Sequence, residues 1–351
     1  MTAGQRVVIW IASVAVVLAA VAFAWRGQMT PYNIWIELPP VSLPLPKARA
    51  FAPGEDGNPL LLIVVENTPE ARPQAGLADA CLVYAVPTES RITRFLTAFC
   101  DEAPRVVGPV RSVRRYMLDI AGDLGGILVH AGYSAEALAY IRARRIPVIN
   151  EFWTSGAFWR DERRRMPHNL YTGVDRLRAQ IQKQPIALRP RGVPYAFGQT
   201  PAEGSPANVV TLDYGPLYTV RYRYDAVRRR YAREQHGNPH VDAAGRQITP
   251  TSVIVVFVQW WDVVEPTGPS SKINLIGSGR LVVLAGGRLT EGTWKRSAIA
   301  PLALTVGNQR VVVPRGPVWI ELFPADQPFS VQSESVKPTL QPDRAPVRPR
   351  I

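Results

Sequence analysis

The stretch Val107 to Gly132, VGPVRSVRRYMLDIAGDLGGILVHAG, restricts the fold more than any other. Val113, Tyr116, Met117, Ile120 and Leu124 recur at helical spacing, so the segment after Ser112 predicts a helix with one apolar face. Ile127-Leu128-Val129 then reads as a buried strand ending on His130, just before Ala131-Gly132. Together they make about half of a βαβ unit, and open α/β sheets place their sites at the carboxyl ends of such strands. Arg111, Arg114 and Arg115 crowd the predicted helix start, the wrong end for cations, because it already carries partial positive charge. Either solvent hides that cost or a negative partner sits there, as anions do at exposed helix starts.

The flanking chain extends the pattern. Leu60 to Val65 is a continuous apolar run of strand length, closed by Glu66-Asn67. Ala80 to Val86 and Ile92 to Phe99 predict two strands joined through Pro87-Thr88-Glu89-Ser90-Arg91, with Arg94 on the second. Cys81 and Cys100 flank the pair, and both a disulfide and two buried thiols fit that placement. Ser134 is placed to cap a helix over residues 135–144, and Pro147 to Asn150 predicts a further short strand. Phe152, Trp153, Phe158 and Trp159 fit either a pocket lining or a local core, whereas Arg163-Arg164-Arg165 reads as a solvated run. A helix is expected from about Leu170 to Gln182.

The second half changes period. After a proline-rich linker from Gln184 to Asn208, strands are predicted at Val209–Leu212, Tyr218–Tyr224, Arg230–Arg233, Val253–Val258, Arg280–Leu284, Gly292–Lys295 and Val318–Leu322. Gly286-Gly287 is a hairpin signal. His236 and His240 are separated by Gly237-Asn238-Pro239, which forbids a regular helix and points to a turn. The expected class is α+β: a mixed α/β first half packed with a mainly antiparallel β second half, preceded by one transmembrane helix. The expected boundaries are an anchor or signal segment over 1–27, a Pro-rich stalk over 28–58, domains over 59–190 and 191–324, and a disordered tail over 325–351.

Compartment follows from the first segment. Val7 to Ala24 holds no charge and would span about 27 Å as a helix, close to the roughly 30 Å of a hydrocarbon core. Ala22-Phe23-Ala24 resembles a cleavage site, but the length favours a retained single-pass anchor, with Arg6 inside and the folded part exported. The net charge is +13, and the 41 Lys+Arg residues include only five lysines. Arginine suits bidentate contact with carboxylate or phosphate. Export makes nucleic acid an unexpected partner and leaves the membrane, through the helix, and an anionic wall polymer or glycan as expected ones.

Several motifs carry a resemblance in order along the chain. They are Glu66-Asn67, Arg72-Pro73-Gln74, Gly76-Leu77-Ala78-Asp79, Ile92-Thr93-Arg94-Phe95, Val107 to Ser112, His130-Ala131-Gly132 with Ser134, and Pro167-His168-Asn169-Leu170-Tyr171. Tyr222 to Tyr224, Pro239-His240-Val241-Asp242, Gly277-Ser278-Gly279, Glu291 to Arg296 and Pro317 to Ile320 continue it. From about Leu60 to Pro324 the chain resembles the YerB-like family, a resemblance that implies an extracytoplasmic bacterial protein of two apposed domains and no particular reaction. Three departures stand out. No cysteine follows the apolar segment, so a peptide anchor replaces the lipid anchor of relatives; Ala75 replaces a usual serine; and Pro87-Thr88-Glu89-Ser90 replaces a Gly-rich turn.

Glu66, Asn67, Arg72, Glu89, Arg94, Arg111, Ser112, His130, His168, Asn169 and Tyr171 form the candidate ligand-binding set, all expected at strand ends, loops or helix starts. Three readings compete. Converging arginines with His, Asn and Tyr would grip an anion without chemistry. A hydrolase would use His130 or His168 as base with Arg94 and Arg111 stabilising negative charge. A scaffold would pair Arg72, Arg94 and Arg111 with Glu66, Glu89 or Asp119. Ser112 sits in no G-x-S-x-G elbow and is better explained as a cap, and no close-spaced ligand motif points to a metal or other cofactor, so none is expected.

Overall fold

A continuous apolar strand is stable only where both faces of its sheet are covered. The computed structural model, which describes residues 60–100, 104–154, 156–183, 191–199 and 203–333, has that arrangement. The first half runs β1 (Leu61–Glu66), β2 (Leu82–Pro87), β3 (Thr93–Ala98), α1 (Arg115–Leu124), β4 (Ile127–His130), α2 (Ala135–Arg144), β5 (Val148–Asn150), β6 (Phe158–Arg160), β7 (Leu170–Thr172) and α3 (Val174–Lys183). The second half supplies β8 (Val209–Asp213), β9 (Thr219–Asp225), β10 (Arg230–Gln235), β11 (Ser252–Glu265), β12 (Gly268–Asn274), β13 (Gly277–Ala285), β14 (Arg288–Arg296), β15 (Ala303–Val306), β16 (Val318–Pro324) and β17 (Phe329–Gln332).

The described chain is mostly β. One large mixed sheet runs β15-β14-β13-β11-β16-β2-β3-β1-β4-β5. β16 pairs in parallel with both β11 and β2, so a late strand joins the two halves into a single sheet. β1, β4 and β5 are parallel neighbours, whereas β8, β9, β10 and β17 form a second, antiparallel sheet. Alternation divides the core: Leu62, Val64 and Leu128 face Met117, Ile120 and Leu124 of α1, while Ile63, Val65 and Val129 share a cluster with Leu177 of α3 and Tyr222 of β9. Removing a side chain such as Leu124 from this packing would cost about 2–5 kcal/mol.

Some expectations need correction. Helix α1 starts at Arg115, with Arg114 rather than Ser112 as its N-cap. Val113 is held out of the helix by a bridge to Tyr133, and the Ser112 hydroxyl donates to Ala131 O at 3.0 Å. α3 starts at Val174 because Leu170–Thr172 pairs with β6. β11 runs well past Val258 and forms a two-stranded arm with β12, whose exposed residues carry no apolar periodicity. The tail expectation also fails over Phe329–Gln332, which pairs with β8; four residues are too few to show a period. Arg164 is no solvated residue, since it donates to Ala71 O and Pro73 O.

Ser134 caps α2 as expected, its hydroxyl accepting from Ala137 N. Cys81 and Cys100 form a disulfide with Cα atoms 6.0 Å apart. The expected anchor at 7–24, the stalk at 28–58 and residues 334–351 lie outside the described residues. Among the described residues no helix is long and apolar enough to cross a membrane.

Candidate functional site

The carboxyl ends of β1, β4 and β5 carry Glu66, His130 and Asn150. Strand alternation from Val64, Leu128 and Val148 places all three on the α1 side of the sheet. Past Val64 the strands part and the segment 109–113 enters between them. Arg111 N donates to Val64 O at 2.9 Å on one side, and Ala131 N donates to Arg111 O at 3.0 Å on the other. Gly132 permits this closeness: it sits at φ 80°, and a Cβ there would lie 2.7 Å from Ser112 Oγ.

Glu66 is 1% exposed, and a buried carboxylate must be paired. Its Oε1 accepts from Thr68 Oγ1 at 3.0 Å and meets His168 Nδ1 at 3.0 Å. Arg111 Nε also lies 3.0 Å away but too poorly aligned for a hydrogen bond, and Glu66 Oε2 has no partner among the described residues. Asn67 beside it has both ends of its side-chain amide hydrogen-bonded. It donates to Thr93 Oγ1 at 2.6 Å and accepts from Arg72 Nε at 3.3 Å and Gln74 Nε2 at 2.9 Å. Arg72 also lies over the Tyr218 ring, and burial lowers its pKa.

Glu89 anchors a second cluster. Arg94 Nη2 reaches its Oε1 at 2.8 Å, and Arg114 grips both oxygens at 2.7 and 3.1 Å. Burial works against the Glu89 charge, yet Arg94 and Arg114 hold its pKa below the usual carboxylate range. Burial and the neighbouring Arg114 push Arg94 down to about 10. Arg94 also donates to Ser112 O at 2.9 Å, joining this cluster to the inserted segment.

His130 is fully buried and hydrogen-bonds to neither Glu66 nor Ser112 Oγ. Its Nδ1 must carry the proton, because it lies 2.8 Å from the carbonyl of Gly132. Its Nε2 is therefore an acceptor, and it lacks a partner. Burial outweighs that hydrogen bond and pushes its pKa down to about 4. Asn169 is used within the β6–β7 connection by Arg160 and Asp161, and Tyr171 stacks on Trp159. The structure thus brings together Glu66, Asn67, Arg72, Glu89, Arg94, Arg111 and Ser112 with His168, sets His130 beside them, and gives Asn169 and Tyr171 other contacts.

Thr68, Gln74, Thr93 and Arg114 were absent from the candidate set although they complete the network. Gln74 and Thr93 both lie in the motifs shared with the family, beside Arg72 and Arg94, and that adjacency is the signal that marks them. His240 is no turn residue: its ring is buried between Gln74 and Arg233. Among the described residues, no group of three or more His, Cys, Asp or Glu side chains comes close enough to hold a metal ion.

Known proteins share this arrangement of sequence and fold. Residues 50–187 match the N-terminal domain, and residues 210–320 the C-terminal domain, of the family described as protein of unknown function (DUF3048). The chain belongs to this YerB-like family. It is 30% identical over 270 residues to the Bacillus subtilis protein named "Putative lipoprotein YerB", covering 75% of this chain and 80% of that one. The crystal structure of YerB from Bacillus subtilis superposes with a TM-score of 0.68 at 27% identity, covering 78% of this chain and 93% of that one.

Proposed function

We propose that the chain is an exported, membrane-anchored envelope protein that binds an anionic envelope ligand at the carboxyl edge of β1, β4 and β5. One observation carries the binding reading. Of the four arginines at this edge, Arg111 alone has both terminal guanidinium nitrogens without a partner among the described residues. Its side chain is 24% exposed, so an incoming anion can reach it. Arg94 and Arg114 are instead spent on Glu89, which supports a scaffold role for that cluster. The edge also holds four guanidinium groups against the carboxylates of Glu66, Glu70 and Glu89, an excess that favours negative ligands.

The name of the Bacillus relative supports membrane anchoring outside the cytoplasm. The Cys81–Cys100 disulfide points the same way, since such bonds persist in oxidising compartments. The test is calorimetric titration of the full-length protein in detergent with inorganic phosphate, trigalacturonate and a glycerol-phosphate oligomer. At least one should bind, and Arg111→Gln should weaken it tenfold or more. Binding of none, or equal binding by the variant, overturns the reading.

A further inference from the structure

We propose that the ligand is a hydroxylated carboxylate, an acidic sugar residue, and not a bare phosphate. The inference rests on the anion-binding reading and names its ligand class. The argument starts from the buried polar atoms that the protein leaves unmet at this edge, since native structures satisfy nearly all such atoms with protein, water or ligand. Glu66 Oε2 and His130 Nε2 are unmet acceptors, and Asn150 Nδ2 is an unmet donor. His130 and Asn150 are register partners on adjacent parallel strands and lie on one face. The Arg111 backbone lies between the ends of β1 and β4, and its Nε reaches Glu66.

A ligand completing this set must supply hydrogen-bond donors as well as accept from Arg111 and Asn150. An inorganic phosphate dianion has a single O–H to give, too few for both Glu66 Oε2 and His130 Nε2, and it would place two negative charges beside the Glu66 carboxylate. A sugar acid supplies several hydroxyls and a single negative charge. His130 fixes the polarity of the demand, because giving its Nδ1 proton to Gly132 leaves Nε2 able only to accept.

The rim matches the same chemistry. Phe152 and Trp153 directly follow Asn150 and Glu151, and they are 63% and 53% exposed. Tyr133, just past His130, meets their rings at 6.1 and 6.0 Å between centroids. Exposed aromatic clusters beside a polar site mark binding surfaces. Flat rings suit the C–H face of a pyranose while its hydroxyls turn toward the strand ends.

The experiment uses full-length protein in detergent at physiological salt and titrates trigalacturonate, triglutamate, maltotriose, glucose 6-phosphate and inorganic phosphate. Triglutamate carries similar carboxylate charge without the hydroxyls. Trigalacturonate should bind at least tenfold more tightly than each of the others. Trp153→Ala, at an exposed position, should weaken it at least fivefold without moving the melting temperature. Equal binding of triglutamate or phosphate with loss in Arg111→Gln would overturn this inference while leaving the anion site standing. So would tighter binding of glucose 6-phosphate that depends on Arg111, or no effect of Trp153→Ala. Binding of no probe would overturn this inference and, if the glycerol-phosphate oligomer also fails to bind, the anion site with it; maltotriose binding as well as trigalacturonate would overturn both.

Discussion

Gln74 and His240 meet where the two halves of the chain join: His240 Nε2 donates to Gln74 Oε1 at 3.0 Å. The direction follows from the other ring nitrogen, which lies 2.6 Å from Arg233 Nη1 and must accept. Arg233 in turn lies 3.6 Å from Glu321 and over the Trp319 ring, with both charged side chains fully buried. Gln74 uses its amide on Asn67 Oδ1 and Glu66 O, so one imidazole ties the strand-end loop to an ion pair in the second half.

His240→Leu should therefore destabilise the protein by roughly 2–4 kcal/mol, because it strands Gln74 Oε1 and one N–H of Arg233 Nη1, whose other N–H stays on Gln235, in the interior. A double-mutant cycle with Gln74→Leu, read from denaturant midpoints, should show a coupling of about 1 kcal/mol or more. Additive losses would mean that the contact carries no energy of its own.

Acid should unfold the protein early. Burial holds His130 at about 4, and burial with the nearby cations Arg233 and Arg72 holds His240 well below its ordinary value. Both groups bind protons more readily unfolded, where the ordinary value is about 6.5. The stability they permit is complete above pH 6.5 and declines as pH falls from about 6.5 toward 4, by up to about 1.4 kcal/mol per pH unit for each. Melting temperature measured from pH 7.5 to 4.5 should fall, and His130→Gln should flatten the curve. An unchanged slope in that variant would remove His130 from the account.

How far the sequence reached depends on the kind of signal. The β1 run, the Ser134 cap and the α1 apolar face are local patterns, and each appears where its spacing predicts except that the α1 face starts at Tyr116, without Val113. Glu66 was legible at a strand end, Arg94 on a strand and Arg111 at a helix start, all three as candidates for one site. What stayed hidden was tertiary. Which arginine faces which carboxylate depends on the register of β1 against β3 and on the insertion of residues 109–113, and neither is written in local periodicity. The β11–β12 arm leaves no local signal for a similar reason, since its solvent-facing residues alternate nothing apolar. Its register still matters, because Glu265 accepts from Glu136 N at the start of α2 and so offsets that helix end.

Reduction should cost stability even though the bond is far from the site edge. Cys81 and Cys100 close a loop of 19 residues spanning β2 and β3, for which chain entropy predicts about 3 kcal/mol. Purified protein should show no free thiols before denaturation, and a reductant should lower the denaturant midpoint accordingly. Two titratable thiols in protein recovered from an oxidising compartment would contradict the bond.

The two carboxylates at the edge should behave differently when neutralised. Glu89 is gripped by Arg94 and Arg114, side chains only 9% and 7% exposed, so Glu89→Gln leaves two guanidinium charges facing each other without compensation. That loss should approach about 3–5 kcal/mol, and Arg94→Leu should recover part of it by removing one stranded charge. Glu66→Gln frees Arg111, whose side chain already reaches solvent and can be hydrated, and should cost only about 1–2 kcal/mol. Chemical denaturation of the three variants settles the order. A larger loss at Glu66 than at Glu89 would show that Arg111 is locked as firmly as Arg94, and that the edge holds a structural ion pair where a ligand is expected.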